Sequence, residues 1–231
     1  MVQTRNKFDL IEFLAVDDNC GNGDDPERAP SLSELRKQTG VSISTLREQL
    51  EVAKVLGFVE VRPRTGIRRL PYTFAPAVRE SLSYAIARDR SNFDAFSDLR
   101  NHVEACYWHS AVRLLTDKDK QTLVNLVTSA WEKLDGDPIR LPHREHRELH
   151  LLIFRRLDNP FVLGLMEAYW DAYEEVGYSR YHGLEYLRKV WEYHQRIVDA
   201  ICASDYDASY AELLQHMDLI HLISYSHDRN D

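Results

Sequence analysis

The stretch SLSELRKQTGVSISTLREQLEVAKVLGFVEVRPRTGIRRL, residues 31–70, decides the fold of the N-terminal part of the chain. Ser31 followed three residues later by Glu34 forms a capping box, which starts a helix that ends at Gly40. A second helix follows and ends at Gly57. Its apolar stripe consists of Leu46, Leu50, Ala53 and Leu56. Two short helices joined by a tight turn with a glycine predict a helix-turn-helix.

After Gly57 the sequence changes from helical spacing to the alternation of FVEVRPRTGIRRL. The turn residues in the middle of this stretch predict a β-hairpin. A hairpin directly after a helix-turn-helix is a wing, although a basic hairpin of unrelated role would show the same pattern. The arginines of this hairpin are Arg62, Arg64, Arg68 and Arg69.

Charge is distributed unevenly along the chain, whose net charge is -8. Residues 28–75 contain nine Lys and Arg against four Glu, whereas residues 76–231 contain 18 basic and 26 acidic side chains. A basic segment attached to an acidic body is expected when one domain meets phosphates and the other has a different task.

The composition is that of a water-soluble globular protein, with 44% hydrophobic and 29% charged residues among 231. No apolar run approaches the roughly 20 residues that span a bilayer, and the start of the chain lacks the pattern of a secretory signal. The three cysteines are odd in number and far apart, which favours reduced thiols. We therefore expect a cytoplasmic protein that does not bind membranes.

From about Pro76 onward the sequence shows helical spacing, interrupted by short Gly- and Pro-containing segments. This pattern predicts an all-α bundle of six or seven helices over residues 76–231. The predicted fold is therefore mainly α, with a winged helix-turn-helix in residues 1–75 ahead of the bundle. The segment PYTFAPAV, residues 71–78, is the predicted linker.

Residues 29–70 resemble the winged helix-turn-helix of GntR-type bacterial transcription regulators. The C-terminal part resembles the FCD ligand-binding domain of the FadR branch, and the resemblance covers residues 29 to about 222. Its marks are LRNHVE (99–104), RELHLLIFRRLDNPF (147–161), YHQRIVDAICASD (193–205) and AELLQHM (211–217). The resemblance implies a homodimeric DNA-binding regulator that reads a pseudo-palindromic operator and responds to a small organic acid.

The recognition helix must present short polar side chains and a guanidinium at the end that enters the major groove. The predicted DNA contacts are Ser42, Ser44, Thr45 and Arg47 in this helix, and Arg62, Arg64, Thr65 and Gly66 in the wing. Ser42 or Ser44 can also cap the helix. The sequence departs from the family at Ser33 and Ile43, where arginines that commonly touch DNA are usual.

The stretch HREHRELH, residues 143–150, places three histidines near one face of a helix. A solvated helix face is one interpretation of this pattern. Two later histidines, His194 and His216, are flanked by apolar residues that turn them into the bundle. A quartet of His146, His150, His194 and His216 would supply nitrogen ligands from three helices, which suits zinc or nickel.

In metal-binding FCD domains the ligands are an Asp, a His four residues later, and two further His that lie 22 residues apart. His150, His194 and His216 match this pattern, and His146 occupies the position of the Asp. By the resemblance, His146 is either a direct ligand or a residue behind the ligands. The remaining histidines are expected to be peripheral or satisfied elsewhere. They are His102, His109, His143, His182, His221 and His227.

A zinc protease helix requires HExxH, in which the general base directly follows the first histidine. Here Arg147 follows His146, and Glu148 lies about 100° further round the helix. We therefore predict that the protein is not an enzyme. Two alternatives stay open, a metal-dependent all-α enzyme and a metal-sensing protein without an organic effector.

The resemblance implies that the effector is a small carboxylate that meets the metal and the side chains of Arg100 and Asn159. Arg100 can equally pair with Glu104 one turn later in the same helix. Asn159 can equally cap the helix that follows it.

Overall fold

The computed structural model describes residues 8–16, 25, 27–63, 65–176 and 183–227, with side chains as far as residue 219. It divides into two compact units, which we call the winged unit (residues 1–77) and the helical unit (residues 78–231). Most of the described residues are helical, as the sequence predicts.

The winged unit contains three helices followed by a two-stranded antiparallel sheet. These elements are α1 (Leu10–Val16), α2 (Leu32–Thr39), α3 (Ile43–Val55), β1 (Val59–Arg62) and β2 (Gly66–Arg69). In the hairpin, Val59 pairs with Arg69 and Arg62 with Gly66. The helix-turn-helix and the wing are thus confirmed within the described residues.

The apolar stripe of α3 forms the middle of the winged unit's core, where Leu46 and Ala53 are fully buried. The predicted capping box at the start of α2 is present, because the Ser31 amide donates to Glu34 over 2.7 Å and the Glu34 amide donates to Ser31 Oγ over 3.3 Å. At the end of α3, Gly57 has a φ of 72°. A Cβ at this position would lie 2.8 Å from Cγ of Pro76, so both backbone and space require glycine.

Seven helices form the described part of the helical unit, within the predicted range of six or seven. They are α4 (Ala75–Arg88), α5 (Asn92–Val112), α6 (Asp117–Leu134), α7 (His143–Phe154), α8 (Pro160–Val176), α9 (Leu184–Cys202) and α10 (Tyr206–His227). Helix α10 packs against α9 and α5, α6 packs against α7 and α9, and α8 packs against α5 and α7. The core between them contains Trp108, Phe154, Trp170 and Trp191, all buried.

Helix α4 begins at Ala75, inside the segment predicted to be the linker. The second half of residues 71–78 is therefore helical, as the helical spacing from about Pro76 also predicts. Pro76 lies at the start of the helix, where the missing amide hydrogen costs nothing because the first turn has no acceptor for it. Among the described residues, no helix is long and apolar enough to cross a bilayer.

Candidate metal centre

Four imidazole side chains from three helices meet inside the helical unit. His146 and His150 lie on α7, His194 on α9 and His216 on α10. One ring nitrogen from each lies within 4.8 Å of the others, and the Nε2 atoms of His150 and His194 are 3.2 Å apart. His150, His194 and His216 are buried, while His146 is half-buried. The structure thus brings together all four histidines that the sequence singles out.

The apolar neighbours of each histidine explain this convergence. On α7 the i, i+4 spacing places His146 and His150 on one face, beside the buried Leu149 and Ile153. On α9, His194 lies among the buried Trp191, Ile197 and Val198, and on α10, His216 lies between the buried Leu213 and Met217. Burial of these apolar side chains fixes how each helix is rotated, so the imidazoles point inward.

The histidines are neutral, and their nitrogens are short of partners. Burial, together with the nearby His150 and Arg100, lowers the pKa of His216 to about 3. Burial likewise holds the pKa values of His146, His150 and His194 well below the ordinary value. Nδ1 of His194 and both ring nitrogens of His216 are buried and have no hydrogen-bond partner in the described part of the chain.

Buried polar atoms in proteins nearly always have a partner, so these nitrogens call for one. A divalent ion fits the donor set, because neutral imidazoles are the common ligands of zinc and nickel. With Zn–N distances of about 2.0–2.1 Å, two nitrogens of a tetrahedral zinc site lie about 3.4 Å apart. The Nε2 atoms of His150 and His194, 3.2 Å apart, are already close to this spacing, and the more distant nitrogens of the cluster need to move inward to reach it.

A buried ion pair on α5 orients His150. Arg100 donates from Nη2 to Oε1 of Glu104 over 3.0 Å, and both side chains are almost completely buried. Nδ1 of His150 lies 3.0 Å from the same Oε1. When Nδ1–H donates to this carboxylate, Nε2 is left with its lone pair directed at the other histidines. Burial raises the pKa of Glu104 to about 7, an effect that the charge of Arg100 opposes.

A small cavity of about 30 Å³ opens onto the histidines. Its lining includes His146, His216 and Arg100. The other lining residues are mostly apolar or aromatic, namely Phe93, Ser97, Leu141, Pro142, His143, Tyr169, Trp170, Tyr173, Tyr186, Leu187, Val190 and Trp191. A water molecule needs about 10–15 Å³ by this measure, so the cavity suits only a small ligand.

Arg100 pairs with Glu104, which is one of its two predicted roles, and it also lines the cavity, so that its contact with an effector stays a prediction. Asn159, the other predicted effector contact, is not among the lining residues. Its Oδ1 accepts from the amides of Phe161 and Val162, and its Nδ2 donates to the hydroxyl of Tyr107. Asn159 is therefore the cap of α8, which is the alternative that the sequence left open.

The other histidines divide into three groups. His143 lines the cavity, contrary to the expectation that it is peripheral, because the first turn of α7 forms part of the wall. His102 is exposed and His109 pairs with Asp207, as expected of surface histidines. His182 lies outside the described residues, as do the side chains of His221 and His227.

Arg147 takes part in an ion-pair network and not in the histidine cluster. Its Nη1 donates to Oδ1 of Asp171 over 2.7 Å, and Arg79 donates from Nε to Oδ2 of the same carboxylate over 2.8 Å. Asp171 thereby connects α4 and α7 to α8. The position that a general base would occupy in HExxH is thus held by a paired cation.

The start of α3 presents the predicted DNA contacts. Ser42 caps this helix by accepting from the Thr45 amide over 3.2 Å, and its Oγ lies 3.0 Å from Oγ1 of Thr45. Ser44 and Arg47 are exposed beside them. The capping role of Ser42 is therefore present in the free protein, and it leaves Ser44 and Arg47 accessible to a ligand.

The wing arginines differ in their surroundings. Arg62 has a side chain that is 63% exposed and pairs with Glu60, while Arg68 pairs with both Asp25 and Glu27. Arg69 donates to the carbonyl oxygen of Leu14. Arg68 and Arg69 therefore hold the wing against the rest of the winged unit. Of the remaining predicted contacts, Thr65 and Gly66 are exposed at the turn, and Arg64 lies outside the described residues.

Sequence reasoning missed two features of the centre. Glu104, which anchors His150, appeared only as a partner of Arg100. Trp170 and Trp191 were not singled out, although their rings lie 4.6 Å from the ring of His146 and 4.9 Å from that of His194. The available signal was the spacing of Glu104 from Arg100, which places both side chains on one face of α5.

Comparisons with known proteins support the same architecture. The sequence model of the FCD domain matches residues 95–219. The "Putative L-lactate dehydrogenase operon regulatory protein" of Escherichia coli (strain K12) is 28% identical over 205 residues, which cover 84% of this chain and 76% of that protein. The protein of the same name from Shigella flexneri gives the same values.

Two solved structures share the fold. Streptococcus agalactiae GntR matches with a TM-score of 0.61 and 20% identity, over 84% of this chain and 88% of that chain. E. coli McbR/YncC matches with a TM-score of 0.52 and 20% identity, over 85% and 86%. Because the FCD match spans more than half of the sequence, and a winged helix-turn-helix precedes it, the chain belongs to the FCD domain family and is a GntR-family transcription regulator.

Proposed function

We propose that this regulator controls its binding to DNA through a small organic acid that binds at a divalent metal ion held by His146, His150, His194 and His216. The convergence of four neutral imidazoles, three of them buried, beside a cavity carries this proposal. The metal supplies a Lewis-acidic anchor for a carboxylate when it is bound. Zinc and nickel are the ions best suited to four nitrogen donors.

The DNA-binding part of the proposal rests on the exposed end of α3 and on the wing. Ser44 and Arg47 are accessible there, and Arg47 has the fork of donors that recognises guanine bidentately. Arg62, Arg64, Thr65 and Gly66 are the proposed wing contacts to the DNA backbone. We propose that two copies of the chain read a pseudo-palindromic operator, as helix-turn-helix dimers do.

Effector binding changes DNA affinity only if it favours one arrangement of the protein over another. Arg100 is well placed for this effect, because it lines the cavity and belongs to the same hydrogen-bonded group as His150 and Glu104. A relative carries the name of an L-lactate dehydrogenase operon regulatory protein, so L-lactate belongs in the first panel of acids to be tested.

The metal centre is tested by elemental analysis of the purified full chain after incubation with zinc or nickel and removal of free metal. The wild type should retain one ion per chain, and His194→Ala should lose it, because one of the four donors is removed. His102→Ala is the matched control, since His102 is an exposed histidine on α5. Equal metal content in all three proteins would contradict the assignment.

Regulation is tested by measuring binding of the metal-loaded chain to the DNA upstream of its own gene, at low salt, with and without each acid. The proposal expects salt-dependent binding that at least one acid weakens or strengthens. Metal-dependent DNA binding without any effect of the acids would favour the metal sensor. Absence of DNA binding under all these conditions would contradict the regulator itself.

A further inference from the structure

The cavity at the histidine cluster offers positive charge and no negative charge to a ligand. Among its lining residues in the described part of the chain, none is Asp or Glu. Arg100 is a permanent cation in this lining and is 1% exposed. Glu104 lies next to His150, outside the cavity lining, and its carboxylate at most balances the charge of Arg100.

The four proposed ligands add no charge of their own. Histidine binds a metal ion as neutral imidazole, and none of the four members of the cluster is a carboxylate. The two positive charges of a divalent ion would therefore have no anionic partner among the protein groups of this site. A buried charge without a partner is costly, so the charge balance must come from the ligand.

The guanidinium of Arg100 also has a hydrogen-bond donor without an acceptor. Its Nη1 donates to Oδ1 of Asn101, and its Nη2 donates to Glu104 and lies 3.0 Å from Nδ1 of His150. Its Nε is buried and has no hydrogen-bond partner among the described residues. Arg100, a residue of the cavity lining, therefore has one unused donor.

We propose that the effector of this site is a compact dianion, of the class of short dicarboxylates, and not a monocarboxylate. The proposal rests on the metal centre proposed above. A dianion compensates both charges of the ion, and a second carboxylate gives Arg100 an additional acceptor. The small volume of the cavity limits the ligand to a short carbon chain.

The test compares malonate with malonamate, which has nearly the same shape but carries an amide in place of one carboxylate. Binding of each to the zinc-loaded full chain is measured by calorimetry and by the rise in Tm at neutral pH. Malonate should bind at least about tenfold more tightly, because the second charge acts in a site shielded from water. Equal affinities, or a preference for malonamate, would overturn the proposal.

His146→Asp gives a second, independent readout, because it adds one negative charge to the cluster. The ratio of malonate affinity to malonamate affinity should fall about tenfold in this variant, and His102→Asp should leave the ratio unchanged. An unchanged ratio in zinc-loaded His146→Asp would overturn the charge-balance argument. If the variant does not fold, the wild-type pair of affinities still decides.

Failure of the dianion proposal is distinguishable from failure of the metal centre. Zinc content is measured in the same samples after each titration. A wild-type chain that retains no zinc contradicts the metal centre and the dianion proposal together. A chain that retains zinc and does not prefer malonate contradicts the dianion proposal alone.

Discussion

Among the individual residues, Glu104 shows how the centre depends on a side chain that is not one of its four donors. Oε1 of Glu104 lies 3.0 Å from Nδ1 of His150 and 3.0 Å from Nη2 of Arg100. As an acceptor, this carboxylate favours the tautomer of His150 that leaves Nε2 free for the proposed metal, whereas Arg100 Nη2, also 3.0 Å from Nδ1, would as a donor favour the other tautomer. It also compensates a guanidinium that is removed from water.

Glu104→Gln should therefore weaken metal binding by about 10- to 100-fold, because His150 loses its charged anchor. The measurement is a competition titration against a chelator of known affinity. Glu212→Gln is the control, since it breaks the exposed pair between Arg196 and Glu212 on α9 and α10. If both variants bind metal as tightly as the wild type, Glu104 does not position His150.

At the scale of the elements, the start of α6 combines a helix cap with an ion pair to the segment that follows α7. Thr116 Oγ1 accepts from the Asp119 amide over 3.3 Å, and Oδ2 of Asp119 accepts from the Thr116 amide over 2.8 Å. Arg156, just after α7, donates to the same carboxylate. Helix α6 is thus tied to the segment that follows α7, the helix carrying His146 and His150.

Asp119→Asn should lower stability by about 1 kcal/mol at neutral pH, as expected for the loss of a helix cap. Arg156 and Thr116 hold the pKa of Asp119 well below its usual range. Because the pKa is lower in the folded state, this contribution is complete above about pH 4 and is lost as the pH falls below it.

The measurement is the Tm of both proteins between about pH 7 and pH 3. The difference between wild type and Asp119→Asn should shrink as the pH falls below about 4, because Asp119 then takes up a proton in the unfolded wild type, which stabilises the unfolded state. A difference that stays constant over this range would show that the ionised carboxylate does not contribute to stability.

Substitution of two arginines of the hairpin should have different effects on DNA binding and on stability. Arg62→Ala should reduce the salt dependence of DNA binding by about one unit of slope, because one phosphate contact is lost. Arg68→Ala should lower the Tm and leave that slope unchanged, since Asp25 and Glu27 already neutralise Arg68. Fluorescence anisotropy at several salt concentrations measures the slope, and thermal unfolding measures the Tm. A smaller slope with an unchanged Tm in Arg68→Ala would contradict the role given to Arg68.

For the molecule as a whole, the proposed metal ion would connect α7, α9 and α10. Removal of the ion by a chelator should lower the Tm of the wild type. A ligand that binds only the folded state adds about 4 kcal/mol to the free energy of unfolding when its concentration is a thousandfold above its Kd. His194→Ala should show no such dependence on metal. Identical unfolding curves for the wild type with and without chelator would contradict the prediction.

The sequence predicted the order of the elements well because the relevant signals are local. The cap at Ser31, the turn at Gly40 and the stripe on α3 each depend on residues a few positions apart. The convergence of His146, His150, His194 and His216 was also predicted, since apolar neighbours reveal which way each helix faces. That these histidines bind metal stays a prediction.

Contacts between distant elements were harder to predict from the sequence. The anchor of His150 by Glu104 joins residues 46 positions apart, and the cavity wall at His143 depends on how α7 packs. Asn159 caps α8, one of the two roles that the sequence left open, because an asparagine before a helix satisfies either role. The packing of helices against one another decides which role such a residue takes. The spacing of apolar residues within one helix contains no information about it.

The aromatic wall of the histidine cluster also has an optical consequence. Two of the chain's four tryptophans contact the cluster, with Trp170 edge-on to His146 and Trp191 beside His194. Indole emission responds to nearby charge and is quenched by open-shell ions such as Ni²⁺. The protein therefore carries an intrinsic reporter, and binding of the proposed ion or effector should change the emission intensity in real time, without an attached dye.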